Sequence, residues 1–107
     1  MATKKYNVIL AKRADIMLLL HTDFLARASP NAARRLISDF KKVKLRLADN
    51  PFQFPFADDM DVSGIKTETY RKCLFSERYK ALFVIEKNDV FVDAIIDCRQ
   101  ANTEIFH

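Results

Sequence analysis

The sequence predicts an α+β domain in which a helical hairpin packs on an antiparallel sheet. The last third of the chain contains three strand-like segments with short polar connections between them. The first half contains two helix-like segments behind one short strand. The predicted element order is therefore β-α-α-β-β-β. A chain of 107 residues is long enough for one domain, spanning 1–107, with its own core.

The three C-terminal strands are predicted to form a meander. They are Tyr70–Phe75, Tyr79–Glu86 and Val90–Asp97. β-branched and aromatic residues dominate these segments, and such residues suit a pleated, half-buried surface. The connections between them have hairpin length. The second strand contains the continuous apolar run ALFVI, which predicts a central strand covered on both faces.

The chain begins with a predicted strand that is followed by the first predicted helix. Tyr6–Leu10 predicts a short strand that joins the meander as a fourth. In Ala11–Arg27, apolar side chains at helical spacing cover a wide arc. This arc predicts that the first helix is buried on more than one side, against the second helix and the sheet.

The second helix has clear start and stop signals. Ser29 is a favourable N-cap and Pro30 suits the first helical position, so the helix begins there. It runs to about Ala48, because Asn50 precedes Pro51 and is disfavoured in a helix. The apolar arc comprises Ala33, Leu36, Ile37, Phe40, Val43 and Leu47, and the opposite face carries Arg34, Arg35, Lys41, Lys42 and Arg46. This basic face is either a solvated surface or a phosphate-binding one.

The segment 51–67 is predicted to be a loop. Phe52, Phe54 and Phe56 alternate within it, and at least one is expected to cover the sheet edge. A cluster of three acidic residues follows, which has the oxygen ligands that a hard cation prefers: Asp58, Asp59 and Asp61. No matching ligand set occurs elsewhere, so neither a metal site nor a cofactor is predicted. Gly64, the single glycine, is expected in a turn before the meander.

Charge and cysteine content narrow the partners and the compartment. Residues 1–50 carry 11 basic and 4 acidic side chains, whereas residues 51–107 carry 7 and 10. This uneven distribution is compatible with an acidic partner such as nucleic acid. Cys73 and Cys98 are predicted to be free, buried thiols in a reducing compartment. The longest apolar run, Ile16–Leu20, is far too short to span a membrane, so a cytoplasmic protein without a membrane partner is expected.

Several segments in their order along the chain resemble the RelE/ParE superfamily of bacterial toxins. They are the opening strand YNVILA, the helix SPNAARRLISDFKKVKLRLADNP, the YRK segment, the strand pair RYKALFVIEKNDVFVDAII and the late DCRQ. The resemblance implies the toxic half of a type II toxin–antitoxin system. It further implies a cognate antitoxin that wraps the toxin in a hetero-oligomer, by contacts on the helical hairpin or the sheet or by an added strand.

The resemblance also implies candidate site residues. RelE-like members cut ribosome-bound mRNA without a metal, using basic residues that bind the phosphate and a late proton-transfer group. On this pattern Arg71, Lys80 and Arg99 are candidate catalytic cations, and His107 is the candidate acid or base. The adjoining substrate-binding candidates are Lys72, Arg78 and Tyr79. The family's second strand lysine is absent, since Cys73 stands there, and so is its late tyrosine.

Three functions stay open at the level of sequence. The first is a ribosome-dependent endoribonuclease, and the second is a ParE-like inhibitor that binds DNA gyrase without cutting anything. The third is a weak relic that only binds antitoxin. Alternatively, Arg71 and Arg99 are structural and pair with Asp93, Asp97 or Glu86.

Overall fold

The computed structural model describes residues 5–57 and 69–99. Within them, two α-helices and four strands follow each other in the predicted order, and a short 3-10 helix, Pro51–Gln53, opens the segment that was predicted to be a loop. Their bounds are β1 Asn7–Leu10, α1 Lys12–Ala28, α2 Pro30–Asp49, β2 Arg71–Phe75, β3 Tyr79–Glu86 and β4 Asp89–Asp97. Each bound lies within one residue of its prediction, and the α+β fold class is confirmed.

The four strands form a sheet in the order β1-β4-β3-β2. β2, β3 and β4 pair antiparallel, as the meander predicts, and β3 is an interior strand. β1 joins as the fourth strand, but it pairs with β4 in parallel, so the sheet is mixed. A parallel pair needs a crossover connection, and the helical hairpin lies within the connection between these two strands.

α2 is the better buried helix. The Ser29 hydroxyl accepts a hydrogen bond from the backbone N–H of Ala32 at 3.2 Å, which confirms the predicted N-cap. The predicted apolar arc is buried against the sheet with one exception, since Ile37 is exposed. The basic residues on the opposite face are exposed to solvent.

α1 packs against both α2 and β4, but much of its apolar arc is exposed. The reason is its position along the edge of β4. β1 pairs with β4 only as far as Val92, and among the described residues no strand pairs with the outer edge of β4 beyond it. Side chains of α1 occupy this edge: Arg13 donates to the Asp93 carbonyl at 3.2 Å, and His21 to the Ile95 carbonyl at 2.8 Å. The predicted packing of α1 against the second helix and the sheet is therefore present, but it leaves Ile16, Leu19, Leu20 and Phe24 exposed.

The phenylalanine-rich segment after α2 covers one end of the sheet, as expected. Phe54 is buried and meets Phe83 edge to face, with ring centroids 5.9 Å apart. Phe52 and Phe56 are exposed, and both lie against the Arg71 side chain. The acidic cluster at 58–61 and Gly64 lie outside the described residues.

The two cysteines differ in exposure. Cys73 is buried in the core between the sheet and the helices, as predicted. Cys98 is exposed, contrary to the prediction, because it follows the last residue of β4 and belongs to a turn. Neither cysteine forms a disulfide.

Candidate functional site

A groove lies between α1 and the end of the sheet where β3 begins and β4 ends. Its volume is about 670 Å³, and its lining residues are Leu20, His21, Phe24, Arg78, Asp97 and Arg99. Antiparallel pairing sets Tyr79 opposite Asp97, so the flanking residues Arg78 and Arg99 reach the same end of the sheet. We call this feature the basic groove.

Asp97 holds the two arginines of the basic groove in place. Its buried carboxylate accepts a hydrogen bond from Arg78 Nη2 at 2.7 Å and one from the Arg99 backbone N–H at 2.9 Å. Arg99 Nε lies 3.7 Å away. Burial raises the pKa of Asp97, but these hydrogen bonds and the two arginine charges outweigh it, so its pKa is lowered. Two cations against one carboxylate leave the cluster with net positive charge.

His21 forms the α1 side of the basic groove with a defined tautomer. Its Nε2 lies 2.8 Å from the Ile95 carbonyl oxygen, which can only accept, so Nε2 carries the hydrogen. In the neutral ring, Nδ1 is then the unprotonated nitrogen. The imidazole also lies over Tyr79, with ring centroids 5.1 Å apart. The basic groove thus combines one imidazole with two guanidinium groups.

Tyr79 is buried beneath this cluster. Its ring contacts His21 on one side, and the Arg78 guanidinium lies 5.0 Å from its centroid. Burial raises the pKa of the Tyr79 phenol, and the Arg78 charge opposes that rise. The phenol therefore stays neutral and keeps its proton near neutral pH.

The fold matches that of a solved toxin–antitoxin component. A structure described as the chromosomal ParDE TA system from P. aeruginosa superposes with a TM-score of 0.67, over 88% of this chain and 97% of that chain. This chain has the ParE-like fold. The RelE/ParE resemblance is thereby confirmed as a likeness of fold, at 12% sequence identity. No protein-family model matches the sequence, and a search of curated proteins finds no match either.

Within the ParE-like fold, the predicted site residues fall into two groups. Arg78 and Arg99 line the basic groove, and the Tyr79 ring lies against the Arg78 guanidinium. The pairing of Arg99 with Asp97, considered from the sequence as an alternative to catalysis, is present. Lys80 is adjacent in sequence but is only 7% exposed. His107 lies outside the described residues.

Arg71 and Lys72 lie at the other end of the antiparallel strands. Arg71 pairs with Phe83 in the sheet register, whereas the basic groove begins at Tyr79. Four residues of strand separate these two positions, a distance of about 13 Å. Arg71 Nη1 donates to the Phe54 carbonyl at 2.6 Å, and its guanidinium lies 4.1 Å from the centroid of the Phe56 ring. Arg71 and Arg99 therefore do not share one phosphate site in this arrangement.

Sequence reasoning missed His21, and it considered Asp97 as a partner of Arg99 but not of Arg78. His21 has the same helical spacing as the packed residues Ala14, Met17, Leu18 and Leu25. This spacing could have indicated that its ring lies on the packed side of α1. Nothing local indicated that this side meets the end of β4. That meeting depends on how far β1 extends along the sheet.

An apolar stripe on α1 borders the basic groove. Ile16, Leu20 and Phe24 are spaced by four residues and are 46%, 63% and 62% exposed. Leu20 and Phe24 also line the groove itself. Leu19 is 62% exposed but lies about 100° around the helix from Leu20. We call Ile16, Leu20 and Phe24 the α1 stripe.

Within residues 5–57 and 69–99, no three histidine, cysteine or acidic side chains are grouped so that they could hold a metal ion. None of the helices found there is both long and apolar enough to cross a membrane.

Proposed function

We propose that this chain is the toxin of a type II toxin–antitoxin pair, that a cognate antitoxin silences it, and that it acts on its target by binding. The observation that carries the proposal is the α1 stripe beside the basic groove. The likeness in fold to a ParDE system supports it. The surface joins an apolar contact to a cationic one, which suits a protein partner with an acidic segment.

The energy available from the α1 stripe is large enough to matter. Full burial of an isoleucine, leucine or phenylalanine side chain is worth about 1.5–3 kcal/mol. Because the three side chains are roughly half exposed, covering them would contribute about 3–5 kcal/mol before the costs of association. Exposed apolar residues grouped on one helix face are typical of an interaction site.

Binding fits the geometry better than RNA cleavage does. The candidate catalytic cations Arg71 and Arg99 are far apart, and Lys80 is almost fully buried. Arg71 is also engaged by a backbone carbonyl and an aromatic ring. Cleavage of RNA transfers a phosphate from one ester to another, and the cations that stabilise its charge must be grouped around that phosphate.

Growth arrest in bacteria tests the toxin proposal, and the chain offers a matched pair of variants. Induced wild-type protein should arrest growth. Leu20→Glu should abolish arrest because it places a charge on the α1 stripe, whereas Leu19→Glu should retain it. The two leucines are equally exposed and adjacent, so helix propensity and overall charge are matched. Circular dichroism checks that both variants fold.

Two outcomes would reject this proposal. Absence of arrest by well-expressed wild-type protein would reject the toxin assignment. Equal behaviour of the two leucine variants would reject the α1 stripe as the functional surface.

Gyrase is the binding target that the RelE/ParE resemblance implies. Purified chain in excess should inhibit DNA supercoiling by gyrase, and Leu20→Glu should relieve that inhibition. Undiminished supercoiling in the presence of folded wild-type protein would exclude gyrase as the target.

A ribosome-dependent ribonuclease is the second candidate, because one imidazole and two guanidinium groups line the basic groove. Here His21 replaces His107 as the acid–base group, and Arg78 and Arg99 supply the cations. Primer extension on mRNA in translating ribosomes tests it. Breaks should disappear in His21→Ala and Arg99→Ala but persist in Arg71→Ala. Loss of cutting in Arg71→Ala alone would place the site at the other end of the sheet.

A further inference from the structure

A second, smaller pocket opens between the turn of the helical hairpin and the β2–β3 turn. Its volume is about 220 Å³. The lining residues are Leu25, Ala32, Arg35, Asp39, Ser76, Glu77, Arg78 and Tyr79. Arg78 also lines the basic groove, so its side chain separates the two cavities. We call this cavity the hairpin pocket.

Two hydrogen-bond donors of the hairpin pocket lack acceptors. Among the described residues, neither the Tyr79 phenol oxygen nor Arg78 Nε has a hydrogen-bond partner, although both atoms are buried. Tyr79 itself is only 1% exposed. Buried polar atoms are nearly always paired in folded proteins, and each exception calls for an explanation. A ligand that supplies an acceptor here would remove both exceptions at once.

The chemistry of the pocket narrows the ligand. Arg78 Nε can only donate and the neutral phenol carries a proton, so the missing group is an acceptor. Arg35 at the rim has no hydrogen bond or ion pair within the described part of the chain, whereas Asp39 is already engaged by the Ser76 hydroxyl at 2.8 Å. A negatively charged acceptor in the pocket could therefore pair with the Arg35 guanidinium.

Size and charge decide between a carboxylate and a larger anion. The hairpin pocket is smaller than the roughly 300–1,000 Å³ of typical small-molecule sites, so it suits one side chain. Its lining holds two arginines and the carboxylates of Asp39 and Glu77, and Arg78 is also paired with Asp97. That balance disfavours a doubly charged phosphate and permits a single carboxylate.

We propose that the hairpin pocket receives the carboxylate of an acidic side chain from a partner polypeptide. The Tyr79 hydroxyl and Arg78 Nε donate to it, and Arg35 pairs with it at the rim. Assigning that polypeptide to the antitoxin rests on the proposed function. The preference of the pocket for a carboxylate does not, since it follows from the donors and charges of this chain.

Titration of the purified chain with small carboxylates tests the assignment without any target or antitoxin. The probes are sodium acetate, neutral acetamide of similar shape, and inorganic phosphate, at constant ionic strength. The readout is the side-chain NMR signal of Arg78 Nε–H. Acetate should produce a saturable shift, and acetamide and phosphate should not. Tyr79→Phe should weaken acetate binding about tenfold, the loss expected for one charge-assisted hydrogen bond, whereas Tyr6→Phe should leave it unchanged.

The thermal midpoint of ligand-free Tyr79→Phe provides a second measurement. It should equal or exceed that of the wild type, because the variant removes an unpaired hydroxyl and keeps the ring. A clearly lower midpoint would mean that the hydroxyl is already paired and would overturn the proposal. So would equal shifts with acetate and acetamide, saturation by phosphate alone, or unchanged acetate binding in Tyr79→Phe. Failure of growth arrest, by contrast, would bear on the toxin assignment only.

Discussion

Replacing Asp97 by alanine should destabilise the protein far more than replacing an exposed aspartate. Asp97 accepts hydrogen bonds from the Arg78 side chain and the Arg99 backbone at the end of β4. The substitution removes both and leaves the Arg78 cation without its nearest counter-charge. The comparison is Asp23→Ala on α1, where Asp23 pairs with Arg27 at 3.0 Å.

The magnitude follows from the burial of the two ion pairs. The Arg78 and Asp97 side chains are 22% and 9% exposed, whereas those of Arg27 and Asp23 are 78% and 64% exposed. Removing one partner of a buried pair costs about 3–5 kcal/mol, and exposed pairs contribute about 0–1 kcal/mol. Because Arg78 is partly exposed, we expect Asp97→Ala to lower the free energy of unfolding by about 2–4 kcal/mol. Asp23→Ala should cost at most about 0.5 kcal/mol.

Urea denaturation followed by far-ultraviolet circular dichroism measures both free energies. The slope against urea should be unchanged, so that the midpoint shift reports stability. The pKa of Asp97 is lowered in the folded protein. The contribution of ionised Asp97 to the free energy of unfolding is therefore present above about pH 4 and is lost as the pH falls through the pKa that Asp97 has in the folded state. The gap between wild type and Asp97→Ala should therefore be constant from pH 7 to pH 5 and narrow below about pH 4. A gap under about 0.5 kcal/mol at pH 7, or an equal cost for Asp23→Ala, would refute the reasoning.

Three further predictions concern other parts of the chain. Burial and a 2.6 Å hydrogen bond to Asp93 raise the pKa of Tyr70 to about 12. The contribution of the Tyr70 hydroxyl to the free energy of unfolding should therefore be full below pH 10 and decline towards pH 12. Urea titrations at pH 9 and pH 11 should show that decline in the wild type and less of it in Tyr70→Phe. A thiol reagent that forms mixed disulfides should modify the exposed Cys98 in the native protein. Cys73 should react only after unfolding, because Cys73 is fully buried and burial raises its thiol pKa. Fast reaction of both thiols in the native protein would contradict this prediction. Ser29→Ala should cost about 1 kcal/mol, because it removes the N-cap of α2, and an unchanged urea midpoint would show that the cap contributes nothing.

The candidate site was predictable only in part. Arg78, Tyr79 and Arg99 were expected from the basic and aromatic residues around the strands, and they do lie together. Arg71 was expected beside Arg99, but the register of β2 places it at the other end of the sheet. His21 comes from a helix that is distant in sequence. Strand periodicity states which face a residue occupies, but it does not state which residues of other elements meet it there.

The sequence by itself determined the elements, because their signals are local. The Ser29–Pro30 start, the apolar arc of α2 and the two hairpin connections each depend on residues within a few positions of one another. Only the tertiary structure decided that β1 pairs in parallel, that α1 lies along the edge of β4, and that the α1 stripe therefore stays exposed beside the basic groove. These outcomes depend on pairings between segments far apart in the chain, whose relative positions no local pattern encodes.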